Sequence, residues 1–164
     1  MCPKSDWLPD LVLFENYDGN WGKYLDALYG FFKIDFLDSC PFFYGQRLAL
    51  KKHPMVKGKE ATFWHIIAEG SVEEERLPDL RRCERIRWPK PVIELCRLKK
   101  LKMWKNKRSG KTRICLWCEP DEYLVILDER PTYTLFWTAY LVSREHQKRK
   151  LEKEYRAYKA SAAS

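Results

Sequence analysis

Hydrophobic positions change their period partway along the chain. In the first forty-five residues they recur at three- and four-residue steps. In "NWGKYLDALYGFFKIDFL", Trp21, Tyr24, Leu25, Leu28, Phe31 and Phe32 form an amphipathic stripe, the pattern of a helix with one buried face. Pro41 and Gly45 in "DSCPFFYG" interrupt it. "QRLALKK" then reads as a short strand ended by His53-Pro54. Between Gly58 and Gly70, "KEATFWHIIAEG" repeats Ala61, Trp64, Ile67 and Ala68 at helical steps, which predicts a short helix carrying His65. "SVEE" at 71–74 has capping-box spacing for another turn. "PDLRRCERIRW" predicts a helix that opens on proline and stops before Pro89. On it Leu80 and Cys83 face inward, and Arg81, Arg85 and Trp88 lie along the other side.

From residue 97 the period becomes two. "RLKKLKMWK", "KTRICLW", "YLVILDE" and "YTLFWTAYLV" are four strand candidates. "NKRSG", "CEPDE" and "RPT" between them are short enough for hairpins, so an antiparallel four-stranded meander is expected. "SREHQKRKLEKEYRAYK" closes the chain as a polar helix with seven basic and three acidic residues. Helices first, a sheet after, and a basic C-terminal helix give an α+β layout. The 164 residues suit a single domain, ~100–200 residues being usual. Its parts are a helical front at 1–45, an α+β body at 46–143 and the tail helix at 144–164.

Charge divides along the same line. Residues 1–45 carry a net −4 and the remainder +12, within a total of +8. A basic body suits a polyanion, above all nucleic acid, although a solvated lysine-rich surface would look the same. No run of ~18 apolar residues is present, so no membrane span is expected. "MCPKSDWLPDL" lacks the basic and apolar regions of a signal peptide. The expectation is a cytoplasmic protein whose six cysteines are thiols. Cys115 and Cys118 form a CxxC, but within a strand residues three apart face opposite sides. A zinc site would also need Cys83 and Cys96, at a spacing unlike a finger. No metal and no cofactor are expected.

Three features carry candidate chemistry. On the last strand, alternation puts Tyr133, Leu135, Trp137, Ala139 and Leu141 on one face and Thr134, Phe136, Thr138 and Tyr140 on the other. The hydroxyl row implies a wet cleft, or simply good strand formers. Residues 97–113 hold nine basic residues and no acidic one. Lys102, Lys105, Lys107, Arg108, Lys111 and Arg113, with Trp104 interleaved, are therefore candidates to track a phosphate backbone and stack bases. A lysine-protected edge strand is the plainer alternative. Arg76, Arg81, Arg82, Arg85 and Arg87 add guanidinium forks that match phosphate oxygens, with Glu73, Glu74, Glu75, Asp79 and Glu84 among them to take some into ion pairs. His65 is the best-placed candidate for proton transfer, or else a packed structural histidine.

A helix bearing His65 in "ATFWHIIAEG", then "RRCER" at 81–85, then a meander ending in "TAY" at 138–140 resembles a known group. It is similar to the barnase–EndoU–colicin–RelE metal-independent ribonucleases, especially their phage-associated branches, over roughly residues 46–143. The resemblance implies RNA cleavage by attack of the 2′-hydroxyl on the scissile phosphate, toxin-like or RNA-processing. It implies His65 as general acid or base, Arg81 and Arg85 on the phosphate, and Thr138 and Tyr140 as positioning or proton-donating groups. It also implies an acidic antitoxin or inhibitor as a partner besides RNA. A non-catalytic nucleic-acid-binding module and a protein–protein adaptor docking through the acidic front are the alternatives.

Overall fold

The computed structural model describes residues 4–163. In chain order, a 3-10 turn at Phe14–Tyr17 leads into helix α1 (Trp21–Phe32), which runs on as a π-helical turn at Lys33–Asp38. Short strands β1 (Phe42–Phe43), β2 (Gln46–Arg47) and β3 (Ala49–Leu50) precede helix α2 (Ala61–Ile67). β4 (Ala68–Glu69), a 3-10 turn at Glu73–Glu75 and β5 (Leu77–Pro78) follow, then helices α3 (Leu80–Glu84) and α4 (Pro89–Leu95). Strands β6 (Lys102–Arg108), β7 (Lys111–Cys118), β8 (Tyr123–Glu129) and β9 (Thr134–Leu141) lead to helix α5 (Glu145–Ala163).

Local chemistry sets most of these limits. Asn20 caps α1 by accepting from Lys23 N at 3.0 Å, and Asp79 caps α3 by accepting from Arg81 N at 2.8 Å. Ser109 and Gly110 link β6 to β7 with φ of 52° and 74°, the pair of left-handed residues a tight twisted hairpin requires. The predicted 78–88 helix is in fact α3 alone, and Leu80 on it is exposed. Pro89 then opens a helix the hydrophobic pattern did not announce, because proline fits the first helical turn. Ser71 does not cap the 3-10 turn, whose N-cap position is Val72 with no side-chain bond.

The sheet order is β3-β9-β8-β7-β6. β6 to β9 form the expected antiparallel meander. β3 adds a fifth strand parallel to β9, through Ala49 opposite Leu135 and Leu50 opposite Phe136. The sheet is therefore five-stranded and mixed. "QRLALKK" splits, its Gln46–Arg47 half pairing with β1 instead.

Helices cover both faces. The main core joins Tyr24, Leu28 and Phe32 of α1, Phe63 and Ile67 of α2 and Val92 of α4 to Leu116, Val125 and Phe136 of the sheet. The acidic front is thus part of the core: Tyr24 is buried and its hydroxyl donates to Val12 O at 2.7 Å. Burying each such large apolar side chain contributes about 1.5–3 kcal/mol. On the opposite face, α5 lays Leu151, Tyr155 and Tyr158 over Trp104, Trp117 and Leu124. Cys115 belongs to that second cluster and Cys118 to the main core. The CxxC thus straddles the sheet, with burial pushing each thiol up to about 12.

The ladder between β8 and β9 slips between Ile126 and Leu127: Ile126 pairs with Thr138, but Leu127 pairs with Phe136. Trp137 is the extra residue of a β-bulge, which reverses the alternation beyond it. Phe136 and Ala139, expected on opposite faces, both enter the main core. Trp137, Thr138 and Tyr140 line one cleft on the other side.

Candidate nucleic-acid interface and histidine site

The bulge lies where β9 loses its outer neighbour, since β3 pairs only as far as Phe136. α2 packs there instead. The Thr138 hydroxyl donates to His65 O at 2.7 Å. The imidazole, 1% exposed, stands edge-on to the Trp137 indole, with ring centres 4.9 Å apart. Its Nε2 is 2.8 and 2.9 Å from the two Glu73 carboxylate oxygens, and its Nδ1 is 3.2 Å from Trp137 O. Both neighbours are acceptors, so a neutral ring satisfies one and an imidazolium both.

Glu73 also accepts from Lys51 Nζ at 2.9 Å and Arg76 Nε at 3.2 Å. Burial opposes its charge, but the Lys51 and His65 hydrogen bonds outweigh it and pull the carboxyl down to about 2. Burial pushes His65 below its ordinary value, with Arg76 and Lys51 adding to the effect against the pull of Glu73. We therefore place the single ring proton on Nε2, facing the charged acceptor.

Beside this cluster, Arg82 Nη1 donates to His65 O, Ala68 O and Thr138 Oγ1 at 3.2, 3.3 and 3.4 Å. Its guanidinium lies 5.0 Å from the centre of the Tyr140 ring, a cation–π geometry. Burial raises the Tyr140 phenol, leaving it a hydrogen-bond donor at neutral pH. The structure thus brings together His65, Arg82, Thr138 and Tyr140. Arg81 reaches the same edge, lining a polar groove with Arg82, Tyr140 and Arg144. Arg85 does not join them. It donates to Arg81 O at 3.0 Å and lies over Trp88, because α3 ends at Glu84 and the chain turns before the next helical step.

Strand parity and the cover of α5 together divide the predicted basic ribbon. Arg108, Lys111 and Arg113 line the sheet-face cleft with Trp137, Thr138 and Tyr140. Arg113 stacks 4.2 Å over the Trp137 ring and its Nη1 is 3.2 Å from the buried Asp128 carboxylate. Lys102 instead is bound to Glu119 and Glu152 at 2.5 and 2.6 Å. Trp104 is buried under α5, with Nε1 donating to Glu154 at 3.1 Å, and offers no stacking face. Lys105 pairs with Glu129 at 2.6 Å and lines, with Met103, a pocket outside the sheet-face cleft. Lys107 is exposed near the end of β6.

A second groove adjoins the cleft through Lys111 and Trp137, and its cations are Lys51, Lys111 and Arg130, with no carboxylate in its lining. The polar groove of Arg81 and Arg82 adjoins through Tyr140. Together they make a run of cations with Tyr133, Trp137 and Tyr140 along it.

From sequence, Lys51 and Trp137 are not singled out, and Glu73 and Arg76 stand only as members of a mixed-charge cluster. Lys51 sat in an ordinary strand and Glu73 in a triple-glutamate turn. Trp137 was assigned to the apolar row because a bulge leaves no mark in the residue pattern. Among the described residues, no group of three or more His, Cys, Asp and Glu is placed to hold a metal ion, and no helix is long and apolar enough to cross a membrane. No family model, curated protein or solved structure matches the chain.

Proposed function

We propose that the protein is a metal-independent endoribonuclease, toxin-like or RNA-processing. The observation that carries this reading is a histidine–carboxylate pair, His65 and Glu73, set at the bulge of β9 beside a groove lined by cations and aromatic rings. Cations neutralise the backbone and exposed rings stack bases. In the reaction, the ribose 2′-oxygen forms a bond to the adjacent phosphorus as the bond from phosphorus to the 5′-oxygen breaks. The 2′-proton passes to a base and the 5′-oxygen takes a proton from an acid, leaving a 2′,3′-cyclic phosphate and a 5′-hydroxyl. His65 is the proton-transfer group, and Glu73 holds its Nε2 in the absence of RNA. Arg82 and Arg81 face the phosphate, a role that the placement of Arg82 on Thr138 favours over Arg85. Thr138 and Tyr140 position the strand. An acidic inhibitor protein would fit the same cations.

The second reading is a non-catalytic nucleic-acid-binding module. It is favoured by the burial of the His65 ring, both of whose nitrogens already face protein acceptors. Cleavage of a mixed RNA in EDTA decides between them. Positioned proton transfer contributes ~10²–10⁴-fold, so His65→Ala should slow cutting by about that factor. Binding by both proteins with cutting by neither favours the module.

A further inference from the structure

Residues 70–76 form a loop fixed at its base and unpacked above it. The base is the β4–β5 ladder, with Ala68 opposite Pro78 and Glu69 opposite Leu77, and Asp79 N donates to Ile67 O at 2.8 Å. Gly70 turns the chain with a φ of 137°, a conformation glycine adopts without strain. Val72 and Leu77 are 47% and 72% exposed, so the loop region carries its apolar side chains to water. Glu73 is what ties it to the body. Its carboxylate accepts from Lys51, which follows β3, and from His65 of α2. Its third donor, Arg76, belongs to the loop itself. Lys51 also lies 5.5 Å from the centre of the Trp137 ring and lines the groove whose other cations are Lys111 and Arg130.

We infer that Lys51 and His65 form an oxyanion site for a phosphate group of a nucleic-acid strand, and that loop 70–76 fills this site in the resting state with the Glu73 carboxylate. The identity of the natural ligand rests on the nucleic-acid reading above, whereas the chemistry of the site does not. A phosphodiester carries one negative charge and accepts the same N–H bonds as a carboxylate, so the exchange leaves the charge of the cluster unchanged. An anion in that groove, which no carboxylate lines, lies against Lys51. Displacing Glu73 frees Nε2 of a ring that is otherwise enclosed. A loop with few buried apolar contacts opens at low cost, and an occupied site lowers apparent affinity by the fraction of molecules that are open.

The test is titration of the full chain with inorganic phosphate, followed by the His65 ring resonances, in wild type, Glu73→Ala and Lys51→Ala/Glu73→Ala. With an open fraction of about one tenth, Glu73→Ala binds phosphate about tenfold more tightly, and the double variant loses that gain. Unchanged or weaker binding by Glu73→Ala, or a gain that survives Lys51→Ala, overturns the site. Should Glu73→Ala fail to fold by circular dichroism, Glu73→Gln keeps the side-chain shape without its charge and takes its place. RNA cleavage is assayed in parallel. Tighter phosphate binding without cleavage by any variant supports the site and contradicts the ribonuclease reading. Cleavage dependent on His65 with phosphate affinity unchanged does the reverse.

Discussion

Burial first, and then the two cations Arg76 and Lys51 that share the Glu73 carboxylate with His65, keep the imidazole from charging as readily as it would in water. The consequence is a pH dependence of stability with a definite sign. Glu73 titrates near 2 when folded against an ordinary 4.5, so its contribution is present above about 4.5 and is lost as pH falls toward 2. His65 is depressed below its ordinary 6.5, so its contribution is full above 6.5 and declines as pH falls beneath it. Urea midpoints measured from pH 7 to pH 3 should decrease throughout, with a shallower fall in Glu73→Gln; an unchanged profile in that variant would refute the assignment. Arg82 is the other residue whose role is set by its partners. Arg82→Ala strips donors from His65 O and Ala68 O, and should cost about 1–3 kcal/mol in denaturant unfolding. His65, Arg82, Thr138 and Tyr140 were legible as candidates from side-chain chemistry alone. Glu73 was not, because nothing in "SVEEER" distinguishes the glutamate that folds back from the two that face solvent.

Elements whose hydrophobic period extends over several turns or several strand residues were legible: α1, α2, the four strands of the meander and α5. Those that rest on two residues or on one irregularity were not. β3 contributes two residues to the sheet, too few to show a period, and the Trp137 bulge changes which side chains share a face without changing composition. α4 begins at a proline that reads equally well as a stop. α5 was legible as a helix, but its role in covering the sheet depends on a narrow stripe of Leu151, Tyr155 and Tyr158. That stripe makes a prediction at this scale. Leu151→Ala removes the one buried side chain of α5 among the described residues and should cost about 2–5 kcal/mol, loosening the cover over Trp104, which shows as a red shift of tryptophan fluorescence. A loss under about half a kcal/mol would mean that α5 is not packed as described.

Over the whole molecule, the acidic front is core and the cations of the body collect along β9 and the neighbouring grooves. The charge asymmetry was legible in the sequence, but the division of the basic ribbon was not, since the parity of β6 and β7 and the cover of α5 together decide which lysines and arginines share the cleft. Binding to a nucleic acid should therefore weaken steeply with salt. Lys111→Ala and Arg113→Ala should each reduce the slope of log affinity against log salt by about one. Lys105→Ala, at a charge already neutralised by Glu129, should leave it unchanged. Equal slopes for all three would place the interface elsewhere. The most direct measurement is incubation of the protein in EDTA with a single-stranded RNA and with its 2′-O-methyl counterpart, followed by analysis of the product ends. Cleavage of the RNA alone, with 2′,3′-cyclic phosphate and 5′-hydroxyl ends, is the predicted result. Cleavage of both strands, or binding of both with no cleavage, would contradict a ribonuclease acting through the 2′-hydroxyl.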